Sequence, residues 1–270
     1  MRQSAASARR LLRAHAVPAN VGILQRFFKT GPGEYGAGDR FIGVKVPGVR
    51  SVCRDCRGLP LSEVRTLLRS RIHEERLLAL LMLVDAFGRG GEAERSRIYR
   101  FYLRHTPFIN NWDLVDASAA QIVGVWLRNR SKAPLTALAH APSPWERRIA
   151  IVATFDYIRA GRLDETFRIA SLLMRDEHDL IHKATGWMLR EAGKRDGAAL
   201  RRFLAPHVRS MPRTMLRYAI ERFPEAERRR YLAGDMPASS SAITSTRSAG
   251  ASMKRSPPSK SASRKRKPKP

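Results

Sequence analysis

Apolar positions recur along most of this chain with the 3.6-residue period of helices, and alternating runs of β-branched residues long enough for a strand are nearly absent. Two segments carry the pattern most clearly. "EERLLALLMLVDAFGRG" (74–90) predicts a strongly apolar helix closed by glycines, and "WERRIAIVATFDYIRAG" (145–161) sets Ile151, Phe155 and Ile158 on one face before Gly161. Each has one stripe to bury against a neighbour. Similar helices are predicted to begin near Glu75, Asp113, Glu146, His182 and Arg213, at intervals of 38, 33, 36 and 31 residues, with room for a second helix in every interval. Periods of about 34 to 47 residues are those of tetratricopeptide, HEAT and armadillo arrays, where each helix pair covers the next. The expected fold is all-α, a helical-repeat solenoid, with an irregular helical bundle as the competing arrangement. Such an array curves, and its inner helices line a concave face able to follow a long ligand.

From Met236 the pattern stops. "MPASSSAITSTRSAGASMKRSPPSKSASRKRKPKP" holds no aromatic residue and little that can be buried, so a folded domain is expected over 1–235 and a disordered basic arm over 236–270.

Charge indicates what a concave face meets. The chain has 51 Lys and Arg against 24 Asp and Glu, a net charge of +27. Nine of those cations and no acid follow Asp235, which leaves +18 on the folded part. The natural counter-charge is a polyanion, nucleic acid ahead of an anionic membrane, because no run of about 18 apolar residues can span a bilayer. The concave face is expected to be basic, and the arm to add sequence-independent attraction to phosphates. The two cysteines, Cys53 and Cys56 in "CRDC", provide no disulfide framework and suit a reducing cytosol. They read as incidental thiols on a helix, since the second pair of ligands that a zinc site needs is not evident. No metal or nucleotide cofactor is indicated. The first 33 residues hold no acid, and "MRQSAASARRLLRAHA" reads either as an organelle transit peptide or as an amphipathic basic first helix. A cytoplasmic, nucleoid-associated location is expected for a bacterial chain, with nuclear targeting through "RKRK" or organellar targeting left open.

Three predicted helix starts carry residues that packing alone does not require. In "NNWDLVDASAA" (110–120), Trp112 and Asp116 lie one turn apart beside an apolar stripe of Val115, Ala119, Ile122 and Trp126. Asp113 or Asn111 can cap this helix, and Asp116 is either a capping-box acid or a carboxylate kept for chemistry. In "PWERRIAI", Trp145 is followed by Arg147 and Arg148 at the entrance of an apolar helix. In "IHKATGWMLREAGK", Trp187 stands between Lys183 and Arg190 on one face, while Ile181, Ala184 and Met188 supply a separate burial stripe.

The order of "NNWDLVD", "PWERRIAI", "HKATGWMLREAGK" and "MPRTMLRYAIERF" (211–223) resembles the AlkD-like alkylpurine DNA glycosylases, DNA alkylation repair proteins built from HEAT-like helix pairs. "FIGVKVPGVR" (41–50) resembles the family's early segment, with Pro47 suited to a first helical turn. The resemblance runs from about residue 15 to about residue 230. It implies a monofunctional glycosylase that hydrolyses the N-glycosidic bond of cationic N3- and N7-alkylated purines in duplex DNA without a base-flipping pocket. Residue by residue, it makes Asp116 the catalytic carboxylate, Trp112 and Trp187 the aromatic walls against the lesion-bearing nucleotide, and Arg148 the holder of the backbone, with Trp145 packing behind. Arg147, Lys183, Arg190, Lys45, Arg50 and Arg213 are the further DNA-binding candidates in these stretches. Some members carry two consecutive tryptophans where this chain has Asn111 and Trp112. Action as a monomer is expected, because one curved array can wrap one duplex. The competing reading is a non-enzymatic scaffold for distorted or branched DNA, and a protein-binding solenoid with a basic face is a third.

Overall fold

A computed structural model describes residues 4–235. Regular structure among them is helical throughout, with a single parallel bridge between Arg40 and Ile72. The first helices are α1 (Ala5–Ala14), α2 (Val21–Phe27), α3 (Val46–Asp55) and α4 (Leu61–Leu68). In α1, Ala5, Ala8 and Leu12 are buried, and a capping box between Ser4 and Ser7 closes its start. This helix packs on α3 and α4, so the Arg-rich N-terminal stretch is the amphipathic first helix of the fold.

The array continues with α5 (His73–Arg89), α6 (Glu92–Arg104), α7 (Trp112–Asp116), a π-helical turn at Ala120–Gly124 and α8 (Val125–Leu127). Then come α9 (Ala133–Ala139), α10 (Pro144–Ala153), α11 (Phe155–Arg159) and α12 (Asp164–Leu172). The last four are α13 (Asp179–Arg195), α14 (Gly197–His207), α15 (Arg213–Ala219) and α16 (Glu225–Ala233). Helices expected near Glu75, Asp113, Glu146, His182 and Arg213 thus begin at His73, Trp112, Pro144, Asp179 and Arg213. One layer runs from α5 through α7 and the π-turn to α10, α13 and α15, each packed on the next. A second set, α6, α9, α12 and α14, packs on α5, α10 and α13 of that layer. This is the HEAT-like arrangement of helix pairs, buried along a continuous core.

Two expected helices are interrupted. The 145–161 segment breaks at Thr154, a fully buried residue whose hydroxyl donates to the Ile151 carbonyl at 2.7 Å and competes with the backbone ladder. The 112–127 segment breaks after Asp116, where Ser118 donates to the Leu114 carbonyl at 2.6 Å and pairs with the Tyr102 hydroxyl at 2.9 Å. Gly124 closes the π-turn against α10, where a Cβ would meet the Ala153 carbonyl oxygen at 2.2 Å.

The start of α5 holds the N-terminal region together. In "HEER", residues 73 to 76, all four side chains are buried. Glu74 accepts from the backbone N–H groups of Ile42, Gly43 and Val44, fixing the "FIGV" strand of loop before α3. Glu75 takes Arg9 of α1 at 2.8 Å, and Arg76 takes Asp39 at 2.7 Å. Cys53 and Cys56 are free and buried, and burial pushes the Cys53 thiol up to about 11. No helix among the described residues is long and apolar enough to cross a membrane. The expected arm over 236–270 lies outside the described residues.

Candidate active site

Asp116 ends α7 and faces Arg148 of α10. The guanidinium forks the carboxylate, Nε to Oδ1 at 2.9 Å and Nη2 to Oδ2 at 2.8 Å, while Nη1 donates to the Leu180 carbonyl of α13 at 2.7 Å. One arginine therefore joins α7, α10 and α13 through one acid and one carbonyl. Arg148 is only 5% exposed, whereas the Asp116 side chain keeps 19%. Burial pushes the Asp116 carboxyl above the usual range; the hydrogen bonds and charge of Arg148 oppose this, and the charge of Asp113 adds to it.

Of the two residues able to cap α7, Asn111 serves and Asp113 does not. Asn111, fully buried, is the N-cap residue, and its side chain accepts from the Trp112 N–H at 2.8 Å. Asp113 is instead drawn to His73, whose Nε2 lies 2.8 Å from its Oδ2. The capping-box role for Asp116 falls with it, since that carboxylate is taken by Arg148.

Trp112 lies one turn before Asp116 in an aromatic group. Its ring stacks on Phe28 at 5.3 Å and 23°, and Phe27 meets it edge-on at 5.7 Å. Phe28 is buried, stacking in turn on Phe41 at 5.2 Å. Phe27 is 61% exposed, an uncommon setting for phenylalanine and a ring surface open beside the indole. Sequence reasoning missed Phe27, Phe28, His73 and Asp39; the signals were the apolar pair in "RFFK" and the charged opening of an otherwise apolar helix in "HEER".

The remaining predicted residues divide into those the structure engages and those it leaves open. Trp187 is partly buried on α13, two turns beyond Leu180, with Phe155 as its ring neighbour at 5.9 Å. Among the described contacts none joins Trp187 to Asp116 or Trp112. Trp145 is buried behind Arg148 with Tyr35 and His178 as ring neighbours. Arg147 is taken up by Asp176 at 2.5 Å and by the carbonyls of Ala141 and Pro142, so it ties a loop. Lys183 pairs with Asp179 at 2.7 Å, Arg190 with Glu221 and Glu191, and Arg213 donates to the Leu232 carbonyl at 2.7 Å. Lys45 and Arg50 are exposed, with no side-chain partner among the described residues.

A two-layer array of helix pairs, with an ion-paired carboxylate beside a partly open indole, defines a helical-repeat protein with a built polar site. The chain belongs to the DNA alkylation repair enzyme family, whose model matches residues 8–223. Among solved structures it is similar to one described as a predicted DNA alkylation repair enzyme from Enterococcus faecalis, at 16% identity and a TM-score of 0.61, over 78% of this chain and 98% of that one. That likeness is one of fold. No curated protein gives a significant match.

Proposed function

We propose that this family member is a monofunctional DNA glycosylase that hydrolyses the N-glycosidic bond of cationic N3- and N7-alkylated purines in duplex DNA. The observation that carries the reading is the bidentate Asp116–Arg148 pair, held one turn from the partly open Trp112. An N3- or N7-alkylated purine already bears a positive charge, so it leaves without a general acid. As the C1′–N bond breaks, its electron pair passes to the purine and neutralises it, and positive charge develops on the sugar. An ionised carboxylate beside C1′ stabilises that charge and orients the water that adds there, the water's proton passing to solvent. Asp116 takes this role. Arg148, 5% exposed and with every nitrogen engaged by Asp116 or the Leu180 carbonyl, keeps the carboxylate aimed rather than holding a phosphate as the resemblance implied. Trp112 and Trp187 offer negative π-faces to the sugar, worth about 1 to 2 kcal/mol each when desolvated, and these contacts grow with the charge. Lys45, Arg50, Lys183, Arg190 and Arg213 supply attraction to the backbone, and the base need not enter a pocket.

Incubating the protein with duplex DNA bearing 7-methylguanine, and measuring free base and bound DNA together, tests the reading. Free base in excess of enzyme is the expected result. Bound DNA without release would instead identify a DNA scaffold, and neither would leave a protein partner for the basic surface.

A further inference from the structure

His73 opens α5 and is 2% exposed. Its Nδ1 lies 3.0 Å from Asp39 Oδ2 and its Nε2 2.8 Å from Asp113 Oδ2. An imidazole donates to two carboxylates only when both nitrogens carry protons, since the neutral ring would aim a lone pair at one carboxylate oxygen. Arg76 takes the other oxygen of Asp39, so two cations and two anions alternate in one buried row. Phe41 stacks on the ring at 4.6 Å, Phe28 meets it tilted at 4.8 Å, and Phe28 stacks on Trp112. His73 thus reaches α7 twice, through the Asp113 carboxylate and through the Phe28 ring. Five residues of helix running into a π-turn have little backbone cooperativity of their own to fix them.

We propose that His73 is a positioning residue for Asp116 and Trp112: as an imidazolium it anchors α7 through Asp113 and neutralises the carboxylate whose charge acts on Asp116. This rests on the glycosylase reading, in which Asp116 must be ionised to meet the sugar cation. The charged groups facing His73 are Asp39 from the loop before α3, Arg76 from α5 and Asp113 from α7; Asp116 and Arg148 lie beyond Asp113. Burial works against the imidazolium, and the hydrogen bonds to Asp113 and Asp39 overcome it, so the ring holds its proton above the usual histidine range.

The test uses the full chain and its His73→Gln and Asp113→Asn variants. Nitrogen NMR of the ring, assigned by its loss in His73→Gln, should show both nitrogens protonated at pH 7. Carbon NMR of the Asp116 carboxyl should give a titration midpoint that moves up in His73→Gln, where Asp113 is left uncompensated, and down in Asp113→Asn, where that charge is gone. Excision of 7-methylguanine at pH 7 should fall roughly tenfold or more in His73→Gln, the loss expected from a misplaced site, with duplex affinity unchanged and the acid limb of the rate following the Asp116 midpoint. A purely structural histidine would slow both variants without moving the two midpoints in opposite directions. A neutral ring at pH 7, or midpoints that stay together, overturns the proposal. If His73→Gln does not fold, Asp113→Asn and the wild-type ring still decide it. Should the wild type release no base while the midpoints separate as expected, the coupling stands and the glycosylase reading fails.

Discussion

Asp116, Arg148 and Trp112 do different work within one turn of helix and one ion pair, and each has its own expected phenotype. Replacing Trp112 by Ala removes a π-face and should lower single-turnover excision by about 5- to 30-fold, corresponding to 1 to 2 kcal/mol. Trp112→Phe should recover most of that rate, and quench-flow release of base checks both. Arg148→Lys keeps a charge but loses the planar fork. Its rate should fall far more than its DNA affinity. That Asp116 and Arg148 belong to one site was expected from the resemblance, but their pairing was not, because that expectation gave Arg148 to the DNA backbone. His73 was not legible, because its partners lie 34 and 40 positions away and a histidine opening an apolar helix has no local signature.

The buried row around His73 also sets a pH dependence of stability. His73 has a raised folded pKa, so its contribution is complete below the unfolded value of about 6.5 and is lost as pH rises through the folded value. Asp39 has a lowered one: burial opposes ionisation, but His73 and Arg76 outweigh it, so its contribution is complete above about 3.9 and is lost as pH falls through the folded value. These two groups leave stability unchanged between those limits and lower it on both sides. In His73→Gln the alkaline decline should flatten, which calorimetry across pH 4 to 9 measures.

Individual elements were readable where an apolar stripe repeats, and less so where one buried side chain interrupts it. The helices α5, α7, α10, α13 and α15 begin within three residues of where periodicity puts them. What periodicity did not show is that 112–127 is two short helices around a π-turn, since Val115, Ala119 and Ile122 are buried with either geometry. Extra turns of this kind recur at functional sites, and here one begins four residues after the proposed catalytic acid. Gly124 sets the distance between that turn and α10, the helix that carries Arg148. Gly124→Ala must push the two apart by its Cβ contact with the Ala153 carbonyl, at about 1 to 3 kcal/mol of stability. Urea unfolding should register that loss, and excision should weaken with it as Asp116 moves off Arg148.

At the scale of the whole molecule, a positive body reserves a few acids for inward use. Asp39, Glu74, Glu75, Asp116 and Asp176 all hold helices or loops together rather than balance surface charge. That division was not visible in composition, which counts acids without saying where they point. The surplus of cations predicts salt-sensitive DNA binding: with about six phosphates contacted, log K should fall against log salt with a slope near −5. Lys45→Ala and Arg50→Ala should each reduce that slope by about one if the residue contacts a phosphate, with little change in stability, and fluorescence anisotropy across a salt series measures it.

In the proposed reaction, one carboxylate of this basic protein meets a cation that exists only as the glycosidic bond breaks. Single-turnover release of 7-methylguanine from methylated duplex DNA, compared for wild type and Asp116→Asn, tests it most directly. The wild type should release base, and the Asn variant should lose at least a hundredfold in rate, the scale on which a preorganised electrostatic group acts, while binding the duplex almost as tightly. An Asn variant that excises at the wild-type rate would show that Asp116 is not the catalytic carboxylate.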